Sequence, residues 1–195
     1  MRVALGLKAR TGRAILVAVA GTPHSQVLER LQLRLLPEGD FAPYHAAEGL
    51  APEAARQSVD RSIASAHRLA EEGIRGAAVA LEQAGHEVCG CGVLVGPGMP
   101  PWSTGEILAA HVRMHQAEGE LFRTALVAGA RACDLQLTTL SHKSALDDAM
   151  KMLGLTRARL DALLGVLGKP VGPPWGKDQK EAAAAALVAL TRANS

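Results

Sequence analysis

Three polar side chains at helical spacing form the first candidate for a chemical site in the sequence. His111, His115 and Glu118 stand at i, i+4 and i+7, so on a helix they share one face over two turns. Two histidines at this spacing can hold one metal ion, with Glu118 or Glu120 as a further ligand or a base. Two alternatives remain open. The stripe faces solvent or a neighbouring helix, or it lies near a sheet edge, where a neutral histidine acts as a general base.

A second pair of candidates lies near the carboxyl end of the chain. Asp178 and Glu181 are three residues apart and precede an alanine-rich and leucine-rich run, Ala183–Leu190. Residues at i and i+3 are neighbours on a helix surface. The pattern therefore predicts a final helix that carries both carboxylates on one face.

Basic side chains gather around the predicted strand ends and the last helix. They are Lys8, Arg10, Lys143, Lys177 and Lys180, with Thr11 and with His142 directly after the fifth predicted strand. Ligands of open α/β sheets bind outside the carboxyl ends of the strands. We therefore expect a basic edge that holds a phosphate or another anion. In the alternative interpretation, Lys8 is a solvated turn residue and Lys180 is an ordinary surface lysine.

The two tryptophans of the chain both follow proline pairs. Trp102 comes after Pro100-Pro101, and Trp175 comes after Pro173-Pro174. Both loops are expected at the same end of the sheet, where exposed aromatic rings could stack on bases or on a sugar. The alternative is that each ring fills the core beneath its proline turn.

A predicted α/β fold positions these candidates. Apolar segments that read as strands cover 2–7, 13–20, 27–36, 86–95 and 133–140. An amphipathic stripe predicts a helix over 52–84. Capping residues predict helices over 103–131, 141–153 and 156–167, and alanine-rich composition predicts a last one over 177–192. The order β-β-β-α-β-α-β-α-α-α predicts a mixed five-stranded sheet with helices on both faces. The length of 195 residues suits one domain over 1–195.

Composition excludes several classes of protein. With 48% hydrophobic residues and a net charge of +2, the chain is neither disordered nor a polycation that binds nucleic acid by bulk charge. No apolar run approaches about 18 residues, so we expect no membrane partner. No secretory signal is visible, and three cysteines favour free thiols in a reducing cytoplasm. The sequence leaves a homodimer open.

The element order resembles the ribonuclease H-like superfamily, and the tail looks most like the RuvC-type Holliday-junction resolvases. The resemblance is carried by Lys177-Asp178-Gln179-Lys180-Glu181-Ala182 with the run that follows, and by Ala4-Leu5-Gly6-Leu7-Lys8. It implies two-metal phosphodiester hydrolysis, with Mg²⁺ or Mn²⁺ held by three or four carboxylates from separate elements. Asp178 and Glu181 match the last acidic pair of the family. Lys8 stands where the family carries its first acid, and no acid follows the fourth strand before Glu106.

These observations lead to hypotheses from different classes. The first is a ribonuclease H-like domain with an altered site that binds nucleic acid, a nucleotide or another phosphate ligand, through Lys8, Arg10, Trp102, His142, Lys143, Trp175 and Lys180. If it is also a nuclease, Asp178 and Glu181 would hold the divalent metal, and Glu118 or His111 would complete the catalytic site. The second is a non-catalytic interaction or assembly module that uses the apolar stripe from Leu146 to Leu167. A third is a relative of the actin-like ATPases, which share the opening β-β-β-α-β-α.

Overall fold

The computed structural model describes residues 1–21 and 24–193. Its strands are β1 (Arg2–Arg10), β2 (Arg13–Ala20), β3 (Gln26–Arg34), β4 (Glu87–Val95) and β5 (Leu137–Ser141). Its helices are α1 (Pro43–Ala46), α2 (Pro52–Gln83), α3 (Thr104–Leu108), α4 (His111–Ala132), α5 (Ala145–Leu153), α6 (Arg157–Gly168) and α7 (Lys177–Ala193).

The five strands form one sheet in the order β3-β2-β1-β4-β5. A tight turn at Gly12, whose φ is 68°, joins β1 to β2, and both pairings of β2 are antiparallel. Helices α1 and α2 lie between β3 and β4, and α3 and α4 lie between β4 and β5. Strands β1, β4 and β5 run parallel, so their carboxyl ends meet at one edge. The predicted fold class, a mixed five-stranded sheet with helices on both faces, is confirmed.

Helices cover both faces because the central strands are apolar on both sides. Along β2, Leu16 and Ala18 belong to the core beneath α2 and α4, whereas Ile15 and Val17 belong to the core beneath α5, α6 and α7. This arrangement is typical of strands that read as continuous apolar runs. No helix in 1–21 or 24–193 is both long enough and apolar enough to cross a bilayer.

Helix α7 lies unusually close to the two middle strands. A Cβ added to Gly6 of β1 would overlap the carbonyl oxygen of Ala182, and one added to Gly92 of β4 would overlap that of Ala185. Glycine allows this approach because it lacks a Cβ. The run Ala182–Ala186 is buried against the sheet for the same reason. The first turn of α7 is thereby held beside the carboxyl edge.

The structure differs from the sequence prediction at two places where helices position candidate residues. The segment predicted as a loop contains the short helix α1, which begins at Pro43. The helix predicted over 103–131 is two helices, α3 and α4, because Ala110 has an extended backbone with φ −149° and ψ 120°. His111 therefore lies in the first turn of a new helix.

The predicted fifth strand also begins later than expected. Asp134 has a left-handed backbone, with φ 55°, and ends the turn after α4, so β5 begins at Leu137. Ser141 is the last residue of β5 and does not cap α5. The N-cap of α5 is Ser144, and the Asp148 carboxylate accepts hydrogen bonds from the Ser141 amide and the Ser144 hydroxyl.

Candidate functional site

The end of β1 and the first turn of α7 form a compact group of charges. The Lys8 ammonium donates a hydrogen bond to the Glu181 carboxylate and lies 3.0 Å from Oδ1 of Asp178. Arg10 Nε lies 3.3 Å from Oδ2 of Asp178, and Lys177 Nζ lies 3.7 Å from Oε1 of Glu181. The Lys8 and Glu181 side chains are only 11% and 6% exposed. Three cations of the chain therefore neutralise two of its acids.

Contacts from β3, the outermost strand on one side of the sheet, fix the loop that leads into α7. Arg30 of β3 donates hydrogen bonds to the carbonyl oxygens of Gly172, at 2.8 Å, and Pro174, at 2.7 Å. Together with the glycine contacts beneath α7, this loop sets the position of Asp178. A charged donor to two carbonyls makes a strong and directional anchor.

The residues present do not fit a two-metal centre. Divalent ions in such centres require several oxygen ligands from separate elements. Here both carboxylates come from α7, and a metal ion between them would meet the ammonium of Lys8. Beyond β4 the chain continues through Gly96 and Pro97, which carry no side-chain ligand. The alternative in which Lys8 is a solvated turn residue is wrong, because Lys8 is buried within β1.

A cleft of about 630 Å³ opens at this edge. Its lining is Lys8, Ala9, Arg10, Thr11, Arg13, Phe41, Leu94, Gly119, Phe122, Arg123, His142 and Lys177. Among these described residues there are five lysines and arginines and no aspartate or glutamate. The nearest acids are held in ion pairs, since Glu120 contacts Arg123 at 3.0 Å. Asp178, Glu181 and Glu120 thus offset three of the five positive charges, and the excess that remains, with Arg13 outside these pairs, makes the cleft suited to an anion.

Three arginines lie side by side across the sheet at the mouth of this cleft. The strand register places Arg13 opposite Arg10 on one side and opposite Arg34 on the other. Like charges directly opposite each other destabilise a sheet. Arg10 is partly offset by Asp178, and Arg34 lies 3.4 Å from Glu38. A bound anion would relieve the repulsion that remains around Arg13.

His142 lines the same cleft and sits among cations. Burial lowers the pKa of its imidazole, and the positive charges of Arg123, Lys143 and Lys8 lower it further. The lowered pKa favours the neutral ring, in which one nitrogen donates a hydrogen bond and the other accepts one. Lys143 is exposed just beyond it, and Lys180 is half-buried in the first turn of α7.

The two tryptophans each contact their own surroundings. The Trp102 ring packs partly against the core and carries the Arg113 guanidinium 4.9 Å from its centroid. The Trp175 indole donates to the Leu164 carbonyl at 2.8 Å. Neither ring lines the cleft. Phe41 does, and it is 66% exposed. Sequence reasoning missed Phe41 because it lies in a loop without any motif.

The other predicted catalytic residues belong to a second cluster. The buried Glu118 accepts a hydrogen bond from His45 Nδ1 at 2.8 Å. The rings of His111 and His115 both pack against the ring of His45. The structure thus groups the candidates in two places, Asp178 with Glu181 and Glu118 with His111. Sequence reasoning missed His45, which is far from His111 in the sequence and joins the second group only through the tertiary fold.

The leucine-rich stripe proposed for an assembly module packs largely inside the molecule. Leu160, Leu164 and Leu167 are buried in the core beneath α7. Leu146 and Met150 are half-buried against the same core.

Comparisons with known proteins give the following results. No family model and no curated protein matches the sequence. Among solved structures, Thermus thermophilus RuvC is similar, with 13% identity, a TM-score of 0.49, and coverage of 95% of this chain and 92% of that chain. So is T. thermophilus RuvC in complex with a Holliday junction substrate, with 12% identity, a TM-score of 0.49, and coverage of 96% and 92%. Neither similarity assigns a function to this chain.

Proposed function

We propose that the chain is a single ribonuclease H-like domain that binds nucleic acid phosphates in the basic cleft and does not hydrolyse them by a two-metal mechanism. The observation that carries this proposal is the composition of the cleft. Five cationic side chains and a neutral histidine line it. The ammonium of Lys8 contacts both carboxylates that a metal would need.

The extent of the basic surface favours a polymer over a single phosphate group. The row Arg10, Arg13 and Arg34 continues the cleft across three strands. A shallower depression of about 340 Å³ adjoins the cleft. Arg13 and Arg34 line this depression together with Glu38 and Asp40, and Phe41 lines both concavities. Successive phosphates along a strand match a track of cations, and an exposed aromatic ring offers a stacking surface for a base.

Replacing Arg13 by glutamate is expected to weaken nucleic-acid binding at least tenfold. Arg13 is exposed at the start of β2, in the middle of the arginine row, so the substitution reverses a charge at the cleft mouth. Loss of one phosphate contact should also reduce the slope of log K against log salt by about 1. The measurement is fluorescence anisotropy with labelled duplex, single strand, RNA–DNA hybrid and four-way junction, at several salt concentrations.

The control is Arg159→Glu, an exposed arginine in the first turn of α6, which should bind like the unaltered chain. Each titration is run with Mn²⁺ and with EDTA, and the products are then separated on a denaturing gel. The proposal is supported if the affinity depends on salt, is the same with Mn²⁺ as with EDTA, and the nucleic-acid strands remain uncleaved. Mn²⁺-dependent cleavage that Asp178→Ala abolishes overturns it and restores the metal role of the acidic pair. If none of the four labelled nucleic acids binds, the proposal is also overturned, and the protein-interaction module becomes the better hypothesis.

Ligand binding is also expected to raise the pKa of His142. An anion near the imidazole stabilises its protonated form and offsets the lowering caused by burial and by Arg123. By linkage, binding should tighten as the pH falls through the range in which His142 takes up its proton. Proton NMR of the ring, with and without a saturating oligonucleotide, measures this shift. His67, on α2, serves as the internal reference, and an unchanged His142 titration in the complex would place the ligand elsewhere.

A further inference from the structure

Three histidines from two parts of the chain converge on one point outside the basic cleft. His45, His111 and His115 each offer a ring nitrogen, and these nitrogens all lie within 4.8 Å of one another. The Nε2 atoms of His111 and His115 are 3.0 Å apart, and the His45 ring centroid lies 5.0 and 4.8 Å from the other two.

Local structure explains how the three rings meet. Pro43 begins α1, and the buried Pro43 and Tyr44 anchor this short helix against the core, so His45 is held in place. The extended backbone at Ala110 separates α3 from α4, so α4 begins at His111. His115 therefore lies one turn after His111 on the same face of α4. The histidine pair that sequence spacing identified thus gains its third member from α1, which is distant in the sequence.

A buried carboxylate orients the first of these rings. Glu118 accepts hydrogen bonds from the His45 backbone amide, at 3.3 Å, and from Nδ1 of the His45 ring, at 2.8 Å. The Glu118 side chain is only 7% exposed. Because Nδ1 is occupied, Nε2 of His45 is the nitrogen available to a metal. A carboxylate behind a histidine is the usual support of a metal ligand, since it fixes the tautomer and increases the basicity of the ring.

The chemistry of the cluster selects a class of ion. Imidazole nitrogens favour Zn²⁺ and its neighbours in the transition series over Mg²⁺. Tetrahedral bonds of about 2.0–2.1 Å to zinc require nitrogens roughly 3.3 Å apart. The His111 and His115 nitrogens are 3.0 Å apart and all three lie within 4.8 Å, so the rings must rotate to close around the ion. His111 and His115 are exposed, so an ion can reach them without unfolding.

We propose that His45, His111 and His115 bind one Zn²⁺-like ion and leave its fourth coordination position open. Three protein ligands with a free position are typical of zinc sites that bind an exchangeable water or ligand. A cleft of about 720 Å³ reaches His45 and is lined by Ser58, Arg61 and Ser62 among others. The fourth position is then open to a water or a small anion. The site is independent of nucleic-acid binding, so either proposal can fail without the other.

Calorimetric titration of the untagged, chelator-treated chain with Zn²⁺ tests the site. We expect one equivalent to bind with submicromolar affinity, and His111→Ala and His115→Ala each to weaken binding at least 100-fold. Both residues are exposed, so these variants should fold normally. The matched control is His67→Ala, which removes a histidine of α2 outside the cluster and should leave the affinity unchanged.

Two further measurements separate this site from zinc bound elsewhere, for example by cysteine. Co²⁺ bound in place of Zn²⁺ should show the visible absorption of four-coordinate cobalt with nitrogen and oxygen ligands, without a thiolate charge-transfer band. Glu118→Gln should weaken Zn²⁺ binding about 10- to 100-fold while the stoichiometry stays at one. Zinc binding that survives both histidine substitutions, or no binding at micromolar Zn²⁺, overturns the proposal.

Discussion

Replacing Lys8 by methionine is expected to lower the free energy of unfolding by about 3–5 kcal/mol, because it leaves the buried carboxylate of Glu181 without its main partner. Methionine retains much of the length of the lysine stem, so little packing is lost. Asp178 keeps Arg10, and Glu181 keeps only the longer contact with the exposed Lys177. Equilibrium urea denaturation, followed by circular dichroism, measures the loss.

A double substitution identifies the cause of this loss. In Lys8→Met with Glu181→Gln the uncompensated charge is gone, and we expect at least half of the lost stability to return. Lys169→Met removes an exposed lysine and should change the unfolding free energy by no more than about 0.5 kcal/mol. If the double variant is no more stable than Lys8→Met alone, the lysine acts through packing and the ion pair is not the stabilising feature.

The importance of Lys8 could be suspected from the sequence, but its partners could not be deduced from the residues alone. The short apolar segment 2–7 predicted β1, and the alanine-rich composition of 177–192 predicted α7. The resemblance aligned Lys8 with an acidic position beside Asp178 and Glu181. Whether the lysine would turn to solvent or towards the acids depends on how closely α7 approaches the sheet. That distance is set by Gly6 and Gly92, which lie far from α7 in the sequence.

The residues missed by sequence reasoning share a physical reason. His45, Phe41 and Arg13 lie in or beside short connections, and no periodic pattern marks them. Their roles arise from tertiary contacts: His45 meets α4, and Arg13 meets two other arginines through strand register. The one usable signal was Pro43, a residue suited to the first turn of a helix, which would have placed His45 on α1 and not in an open loop.

Substituting alanine for Gly6 is expected to destabilise the fold by about 3 kcal/mol or more, although it adds a single methyl group. The new Cβ would overlap the backbone carbonyl of Ala182, which cannot rotate away as a side chain can, so α7 must move off the sheet. That movement would also separate Glu181 from Lys8, so the losses of stability caused by Gly6→Ala and by Lys8→Met should not be additive.

Gly76→Ala is the matched control, because its Cβ meets open space on α2 and helix propensity should stabilise the protein by about 0.5–1 kcal/mol. Urea denaturation of the two variants tests the contrast. Equal stabilities would show that α7 yields easily and does not fix the position of the acidic pair.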